Sequence, residues 1–230
     1  MTRLVASLCG TALLAFVMSA NATTPPVPVL NWNPCSPDGA VCAAARVPLD
    51  YDNPAGAQTF IVLARYPVDP ATKIGTVFVN FGGPGVSGVT RLIQSGFGLT
   101  LRALLQGRFD VVAFDPRGVG YSDPMQCFDT EGDRTAFRAS HPIFPYFDDQ
   151  ERPYFDAYSS LGPMCLGRRQ PIALHMSTGD VARDLDLLRQ AVGDDRITYL
   201  GFSYGSYLGD TYANMFPDKV RALVIDGVLN

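Results

Sequence analysis

Histidine is scarce in this sequence: the 230 residues contain two, His141 and His175, and none follows Ser203. Basic residues form no run and the formal net charge is −4, so nucleic acid is not an expected partner. There are no internal repeats and no low-complexity tracts, which excludes a repeat array and a long disordered region. Hydrophobic residues make up 47% of the chain, enough to build the core of one large domain.

The N-terminus has the pattern of a secretory signal peptide over residues 1–22. A positive start with Arg3 precedes an uncharged apolar run over 4–18, and Ala20-Asn21-Ala22 fits a small-residue cleavage site. A membrane anchor is the alternative, but the run is shorter than the roughly 20 apolar residues that a helical span needs. We therefore expect a mature chain, 23–230, that is secreted or periplasmic and has no membrane span.

Cysteine is also infrequent, and four cysteines fall in the predicted mature chain: Cys35, Cys42, Cys127 and Cys165. An even number in an exported protein indicates disulfides, and four cysteines allow three pairings. The pairs Cys35–Cys42 and Cys127–Cys165 are favoured, because each would close one loop. Free thiols or a metal site are the alternatives, although the spacing matches no common zinc pattern and no histidine lies beside the cysteines.

The order of strand and helix patterns predicts an α/β fold. Two strands joined by a turn, 41–47 and 58–66, precede an alternation of buried strands and amphipathic helices. The strands are expected at 74–80, 109–114, 197–202 and 220–225, and the helices at 89–105, after the capping box 177–180, and at 204–216. This alternation favours a mostly parallel, doubly wound sheet with helices on both faces. Residues 120–176 fit no period and are expected to form an irregular insert.

The segment Gly201-Phe202-Ser203-Tyr204-Gly205 has the pattern of a nucleophile elbow. It lies between the predicted strand 197–202 and the predicted helix, which is the context that this motif requires. Such a turn lifts the Ser203 hydroxyl clear of the sheet and points the backbone N–H of Tyr204 at a developing oxyanion. An ordinary Gly/Ser turn between a strand and a helix is the alternative interpretation.

A second glycine-rich turn, Asn80-Phe81-Gly82-Gly83-Pro84-Gly85, comes directly after the predicted strand 74–80. Ligands of parallel sheets bind at the carboxyl ends of strands, so this turn is expected near Ser203. The N–H groups of Gly82 and Gly83 would complete an oxyanion hole opposite Tyr204. A plain Gly-Pro turn is the alternative; a dinucleotide-binding loop is disfavoured, because the spacing is wrong and Pro84 intervenes.

Three further polar residues are expected to have structural roles. Arg117 lies just after the predicted strand 109–114, and its guanidinium is expected to bind nearby carbonyls or a carboxylate. His141 and His175 are expected to be surface or packing histidines rather than a general base.

The chain resembles the secreted α/β-hydrolase serine exopeptidases, the group of prolyl and tripeptidyl aminopeptidases. The resemblance covers essentially the whole predicted mature chain and rests on the segments 47–51 (VPLDY), 80–88 (NFGGPGVSG), 109–122 (FDVVAFDPRGVGYS), 199–209 (YLGFSYGSYLG), 216–220 (FPDKV) and 224–228 (VIDGV). It implies the α/β-hydrolase fold, Ser203 as nucleophile, and oxyanion N–H groups from Tyr204, Gly82 and Gly83. The implied reaction is attack on a peptide bond near a free substrate N-terminus through an acyl-enzyme.

The sequence departs from this family on the C-terminal side of Ser203. In the family a lid comes after the strand that here ends near Asp226, and the triad aspartate and histidine come later still. The chain is therefore expected to be the N-terminal half of such an enzyme, truncated before the lid and the C-terminal strands. A missing half would leave an apolar sheet edge near Val220–Val228 exposed.

The sequence leaves three functions open. The first is an exported serine aminopeptidase acting on peptides, incomplete alone, with a missing C-terminal half as its candidate partner. The second is a carboxylesterase or lipase-like hydrolase on the same fold, since ester and amide hydrolysis share the elbow and oxyanion hole. The third is a non-catalytic remnant, which the absent histidine favours and the intact elbow disfavours. No cofactor and no metal are implied, because hydrolysis needs only water.

Overall fold

A computed structural model describes residues 24–168 and 170–228. The predicted signal peptide lies outside the described residues. The strands are β1 (Asn33–Pro34), β2 (Val41–Pro48), β3 (Gln58–Tyr66), β4 (Gly75–Asn80), β5 (Phe109–Phe114), β6 (Ile197–Phe202) and β7 (Val220–Asp226). The α-helices are α1 (Gly88–Gln94), α2 (Phe97–Leu104), α3 (Glu131–Ala139), α4 (Asp148–Gly167), α5 (Thr178–Ala191) and α6 (Tyr204–Met215), with short 3₁₀ turns at Pro171–Leu174 and Pro217–Lys219.

The strands form one sheet in the order β1-β2-β3-β5-β4-β6-β7. The strands from β4 onward pair in parallel, as the alternation predicted, whereas β1, β2 and β3 pair antiparallel with their neighbours and β3 with β5. The sheet is thus mixed, with its parallel part around β4. Because β4 has parallel neighbours on both sides and helices over both faces, all six of its residues are buried.

Alternate side chains of the central strands fill two cores on opposite faces. Phe78 and Val112 face the core that packs against α5 and α6. Val77 and Val111 face the core that packs against α1 and α2. Period-two alternation along these strands therefore directs apolar side chains to both faces of the sheet, as a doubly wound arrangement requires.

One continuous helix was predicted over 89–105, and this was wrong, because the structure has two helices there, α1 and α2. Gly96 lies between α1 and α2 with φ of 69°, a left-handed conformation that ends one helix before the next begins. The apolar spacing continues across the break, and this is why periodicity alone did not locate it. Phe97, the first residue of α2, packs its ring against Phe81, which follows β4, and Phe202, which ends β6.

Residues 120–176 are not irregular throughout, which corrects that expectation. They contain α3 and α4, although α4 includes Pro153 and Pro163. Neither helix packs an apolar face into the core: α3 buries no residue and α4 buries only Cys165. The helices are instead capped and crosslinked, since Thr130 forms a capping box at the start of α3.

Both favoured disulfides are present. Cys35 and Cys42 join β1 to β2, and Cys127 and Cys165 close the base of the 120–176 segment. At the other edge of the sheet, β7 pairs with β6, and within the described residues no strand pairs with its outer side. Val224 and Val228 are exposed there, as expected for an apolar edge.

Candidate active site

Ser203 occupies a sharp turn between β6 and α6. Phe202 ends the strand, Tyr204 begins the helix, and Ser203 between them has φ of 53° and ψ of −122°. A non-glycine residue rarely adopts this conformation, which costs on the order of 1–3 kcal/mol and is concentrated at functional sites. The Ser203 side chain is exposed. The turn therefore presents its hydroxyl to solvent at the carboxyl end of a central strand.

Two glycines make this turn possible. A Cβ at Gly201 would overlap the carbonyl oxygen of Gly205, and a Cβ at Gly205 would lie 2.6 Å from the carbonyl oxygen of Asn80. Both approaches are far closer than van der Waals contact, and each neighbouring atom belongs to backbone that has little room to move. The strand, the helix and β4 approach so closely that no side chain fits at either position.

The backbone of Ser203 is held on both sides of the turn. Its N–H donates to the carbonyl of Asp226 at 2.8 Å, and its own carbonyl accepts from the Ser206 N–H at 2.8 Å and the Ser206 Oγ at 2.6 Å. Ser206 is buried. Its role was not predicted, because its only signal in the sequence is its place one turn into α6. These bonds fix the strained conformation by pairing the turn with the end of β7.

The glycine-rich turn after β4 lies against Ser203, as predicted. Gly82 has φ of 92°, and a Cβ there would lie 2.9 Å from the Ser203 Cβ. The Gly82 N–H, however, donates to the Asn80 side-chain oxygen at 2.9 Å, so it is already engaged. No hydrogen bond within residues 24–168 and 170–228 occupies the N–H of Gly83 or Tyr204. Of the three predicted oxyanion donors, Gly83 and Tyr204 are therefore the better candidates. Gly82, which has no side chain, allows the turn to lie close to Ser203.

The aromatic side chain of Tyr204 is directed away from this chemistry. Its hydroxyl lies 3.0 Å from the Thr178 Oγ1 at the start of α5. Burial raises the pKa of Tyr204, which keeps the phenol protonated near neutral pH. Tyr204 can therefore contribute its backbone N–H but not a general base.

Arg117 has the structural role expected of it. It is buried and forms a two-pronged ion pair with Asp184 of α5, with nitrogen–oxygen distances of 2.7 and 2.6 Å. Its remaining N–H groups donate to three backbone carbonyls: Pro48, Leu49 and His175. Burial by itself would lower the pKa of Arg117, but the hydrogen bonds and negative charge of Asp184 raise it above its ordinary value. The pair joins β2, the turn after β5 and α5 behind the site.

The two histidines lie in other surroundings. His141 packs against the rings of Phe137 and Tyr158, at centroid distances of 4.9 and 5.1 Å, within the 120–176 segment. His175 caps the 3₁₀ turn before α5, and its carbonyl accepts from Arg117. Neither histidine forms a hydrogen bond to Ser203. Asp226 is exposed at the end of β7, where its backbone carbonyl, rather than its carboxylate, contacts Ser203.

The part of the chain that the structure describes contains no cluster of three or more His, Cys, Asp or Glu residues able to hold a metal ion. Over the same residues, no helix has the length and apolar character needed to cross a membrane.

A mixed sheet with helices on both faces, carrying a strained serine between a central strand and a helix, defines the α/β-hydrolase class. Residues 76–230 match the α/β-hydrolase fold family, and the chain belongs to that family.

Three curated relatives are similar to most of this chain. Serine protease Hip1 of Mycobacterium tuberculosis is 37% identical over 210 residues, which cover 87% of this chain and 40% of the relative. Tripeptidyl aminopeptidase of Streptomyces lividans is 34% identical over 208 residues, covering 87% and 38%. Carboxylesterase B of M. tuberculosis is 36% identical over 220 residues, covering 90% and 42%. The chain thus spans about two fifths of the length of these relatives.

Proposed function

We propose that this protein is an exported serine hydrolase, and specifically an aminopeptidase that releases residues or short peptides from substrate N-termini. The observation that carries the proposal is Ser203, exposed in a strained turn whose neighbours admit only glycine. The names of two relatives, serine protease and tripeptidyl aminopeptidase, support peptide bonds as the target.

The proposed chemistry proceeds in two steps. The Ser203 Oγ attacks the carbonyl carbon of the scissile bond, and the resulting oxyanion accepts hydrogen bonds from the N–H groups of Tyr204 and Gly83. The C–N bond then breaks, the amine leaves with a proton, and an ester to Ser203 remains. Water hydrolyses this ester, releasing the acid and restoring the hydroxyl.

A serine hydroxyl needs a neighbouring base to attack at a useful rate. His141 packs against the ring of Tyr158, and neither it nor His175 forms a hydrogen bond to Ser203 among the described residues, so neither is proposed as that base. The base and its orienting carboxylate are proposed to come from polypeptide beyond these 230 residues, as a continuation or as a second chain. The greater length of the relatives supports this. The oxyanion hole and binding alone would leave about 10³–10⁴-fold acceleration over water.

Export is supported by two observations. The N-terminal sequence fits a signal peptide. Two disulfides, Cys35–Cys42 and Cys127–Cys165, are typical of an oxidising compartment.

Carboxylesterase activity is the second candidate, because one relative bears that name and the two reactions use the same site. Peptide p-nitroanilides with a free N-terminus and p-nitrophenyl esters of matched acyl groups would be compared on the full-length protein. Faster turnover of the anilides, lost on blocking the substrate amine, supports the aminopeptidase. Turnover of esters alone supports the esterase.

A fluorophosphonate probe tests whether the protein is a serine hydrolase at all. On the full-length protein we expect the probe to modify Ser203, as located by peptide mass spectrometry, and not to modify the Ser203→Ala variant. A folded protein that stays unmodified at Ser203 would contradict the proposal and support a non-catalytic remnant.

A further inference from the structure

A cavity of about 430 Å³ opens near the ends of β4 and β6, and three phenylalanine rings form part of its wall. It is lined by Phe81, Arg91, Ser95, Phe97, Thr100 and Phe202. The Phe97 ring meets the other two rings edge-on, at centroid distances of 5.2 Å from Phe81 and 5.9 Å from Phe202. The volume is within the range of small-molecule sites and holds an aromatic side chain.

The position of the rings connects this cavity to the reaction. Phe202 directly precedes Ser203, and Phe81 directly precedes Gly82, whose Cβ position lies 2.9 Å from the Ser203 Cβ. Two of the rings that line the cavity therefore belong to residues next in sequence to Ser203 and to Gly82. Phe97, the first residue of α2 after the left-handed Gly96, supplies the third ring.

The residues that line the cavity favour an apolar group and disfavour a positively charged one. The Ser95 and Thr100 hydroxyls donate to backbone carbonyls of their own helical turns, those of Arg91 and Gly96. The charged side chain of the lining is Arg91, which is exposed and forms no ion pair with any residue that the structure describes. Its positive charge would repel the ammonium group of a lysine side chain.

The same rings also close one end of the core formed with α1 and α2, where Phe81, Phe97 and Phe202 remain half-buried. A ring that served the core alone would gain stability from being covered fully, because full burial removes its apolar surface from water. Here the three rings face a shared open volume at the substrate end of the sheet.

We propose that this cavity, the Phe81–Phe97–Phe202 pocket, is a specificity subsite for an uncharged apolar side chain, preferably aromatic, next to the carbonyl that Ser203 attacks. The inference rests on the proposed function and names its substrate class.

Three fluorophosphonate probes that differ only in one substituent test this on the full-length protein: phenylethyl, methyl and aminobutyl. In each case the Ser203 Oγ bonds to phosphorus, the P–F bond breaks, fluoride leaves and the hydroxyl proton passes to solvent. We expect the phenylethyl probe to react about tenfold faster than the methyl probe, and the aminobutyl probe to react slowest.

Two variants assign the preference to the pocket. Phe97→Ala should remove most of the difference between the phenylethyl and methyl probes, whereas Phe144→Ala, an exposed phenylalanine of the 120–176 segment, should leave it unchanged. Arg91→Glu should accelerate the aminobutyl probe severalfold, and Arg102→Glu, on the neighbouring helix α2 outside the lining, should not.

Binding of 3-phenylpropanamide to the Ser203→Ala variant gives a readout that needs no reactive serine. Loss of this binding in the Ser203→Ala, Phe97→Ala double variant supports the pocket even if Ser203 proves unreactive, an outcome that would contradict the proposed function alone. Equal reaction of all three probes, or a preference for the aminobutyl probe, overturns the pocket and leaves the proposed function standing.

Discussion

The turn at Ser203 and the 120–176 segment show two ways in which one chain is ordered. At the turn, backbone packs against backbone so closely that a single methyl group has no space at Gly201 or Gly205. In the segment, large apolar side chains such as Ile143 and Tyr146 are 92% and 80% exposed, and the helices bury almost nothing. Order there comes from a capping box, a disulfide and ring contacts. The turn is therefore specified by tertiary packing, and the segment by local bonds and a crosslink.

The largest expected contrast concerns ion pairs. Arg117→Met would leave the Asp184 carboxylate buried without its cation, and breaking such a pair costs about 3–5 kcal/mol. Arg152→Met in the segment breaks an exposed pair with Asp156, which should cost nothing measurable. Free energies of unfolding from urea titrations would compare the two variants. Equal loss of unfolding free energy in the two variants would contradict the expected difference between the buried ion pair and the exposed one.

Removing the Cys127–Cys165 disulfide should loosen the segment without unfolding the sheet. The crosslink joins residues 38 apart in sequence, and closing such a loop stabilises by about 3–4 kcal/mol in the chain-entropy description. In the Cys127→Ser, Cys165→Ser variant we expect rapid protease cleavage between residues 128 and 164. The reactivity of Ser203 toward a fluorophosphonate should be retained. Cleavage that began in β6 or α6 instead would show that the sheet depends on the crosslink.

Adding one methyl group should act with opposite sign in the two regions. Gly201→Ala places a Cβ against the Gly205 carbonyl, and overpacking of this kind costs about 1–3 kcal/mol. Gly132→Ala in α3 meets only the Thr130 Oγ1, at 3.4 Å, and should stabilise that helix by about 0.5 kcal/mol. Thermal unfolding measures the first change and amide exchange in α3 the second. A Gly201→Ala protein of unchanged stability would show that the turn has room to relax.

The same contrast explains what the sequence could predict. Strands β3, β5 and β6 were predicted with their observed bounds, because each is rich in β-branched and aromatic residues. The turn at Ser203 was predicted because its glycines are forced by sterics. The engaged N–H of Gly82 depends on the orientation of the Asn80 side chain, which no spacing encodes.

Two other features were beyond prediction for a related reason. The helices of the 120–176 segment bury almost no side chains, and α4 contains Pro153 and Pro163, residues that normally argue against a helix interior. The Phe81–Phe97–Phe202 pocket assembles residues from three elements that meet only when the sheet closes. Short-range patterns thus predicted the scaffold and the turn, and tertiary placement decided the rest.

The smallest expected effect compares two helix caps. Ser177 caps α5 and Thr130 caps α3, each by accepting a hydrogen bond from a backbone N–H three residues later. Replacing either by Ala removes that bond at a local cost of about 1 kcal/mol. Because α5 packs its buried face into the sheet core, Ser177→Ala should lower the free energy of global unfolding. Because α3 buries no residue, Thr130→Ala should leave global unfolding unchanged and speed amide exchange in α3 alone. If Thr130→Ala lowered global stability as much as Ser177→Ala, the segment would be part of the cooperative unit of the sheet, and its helices would contribute to folding despite their exposure.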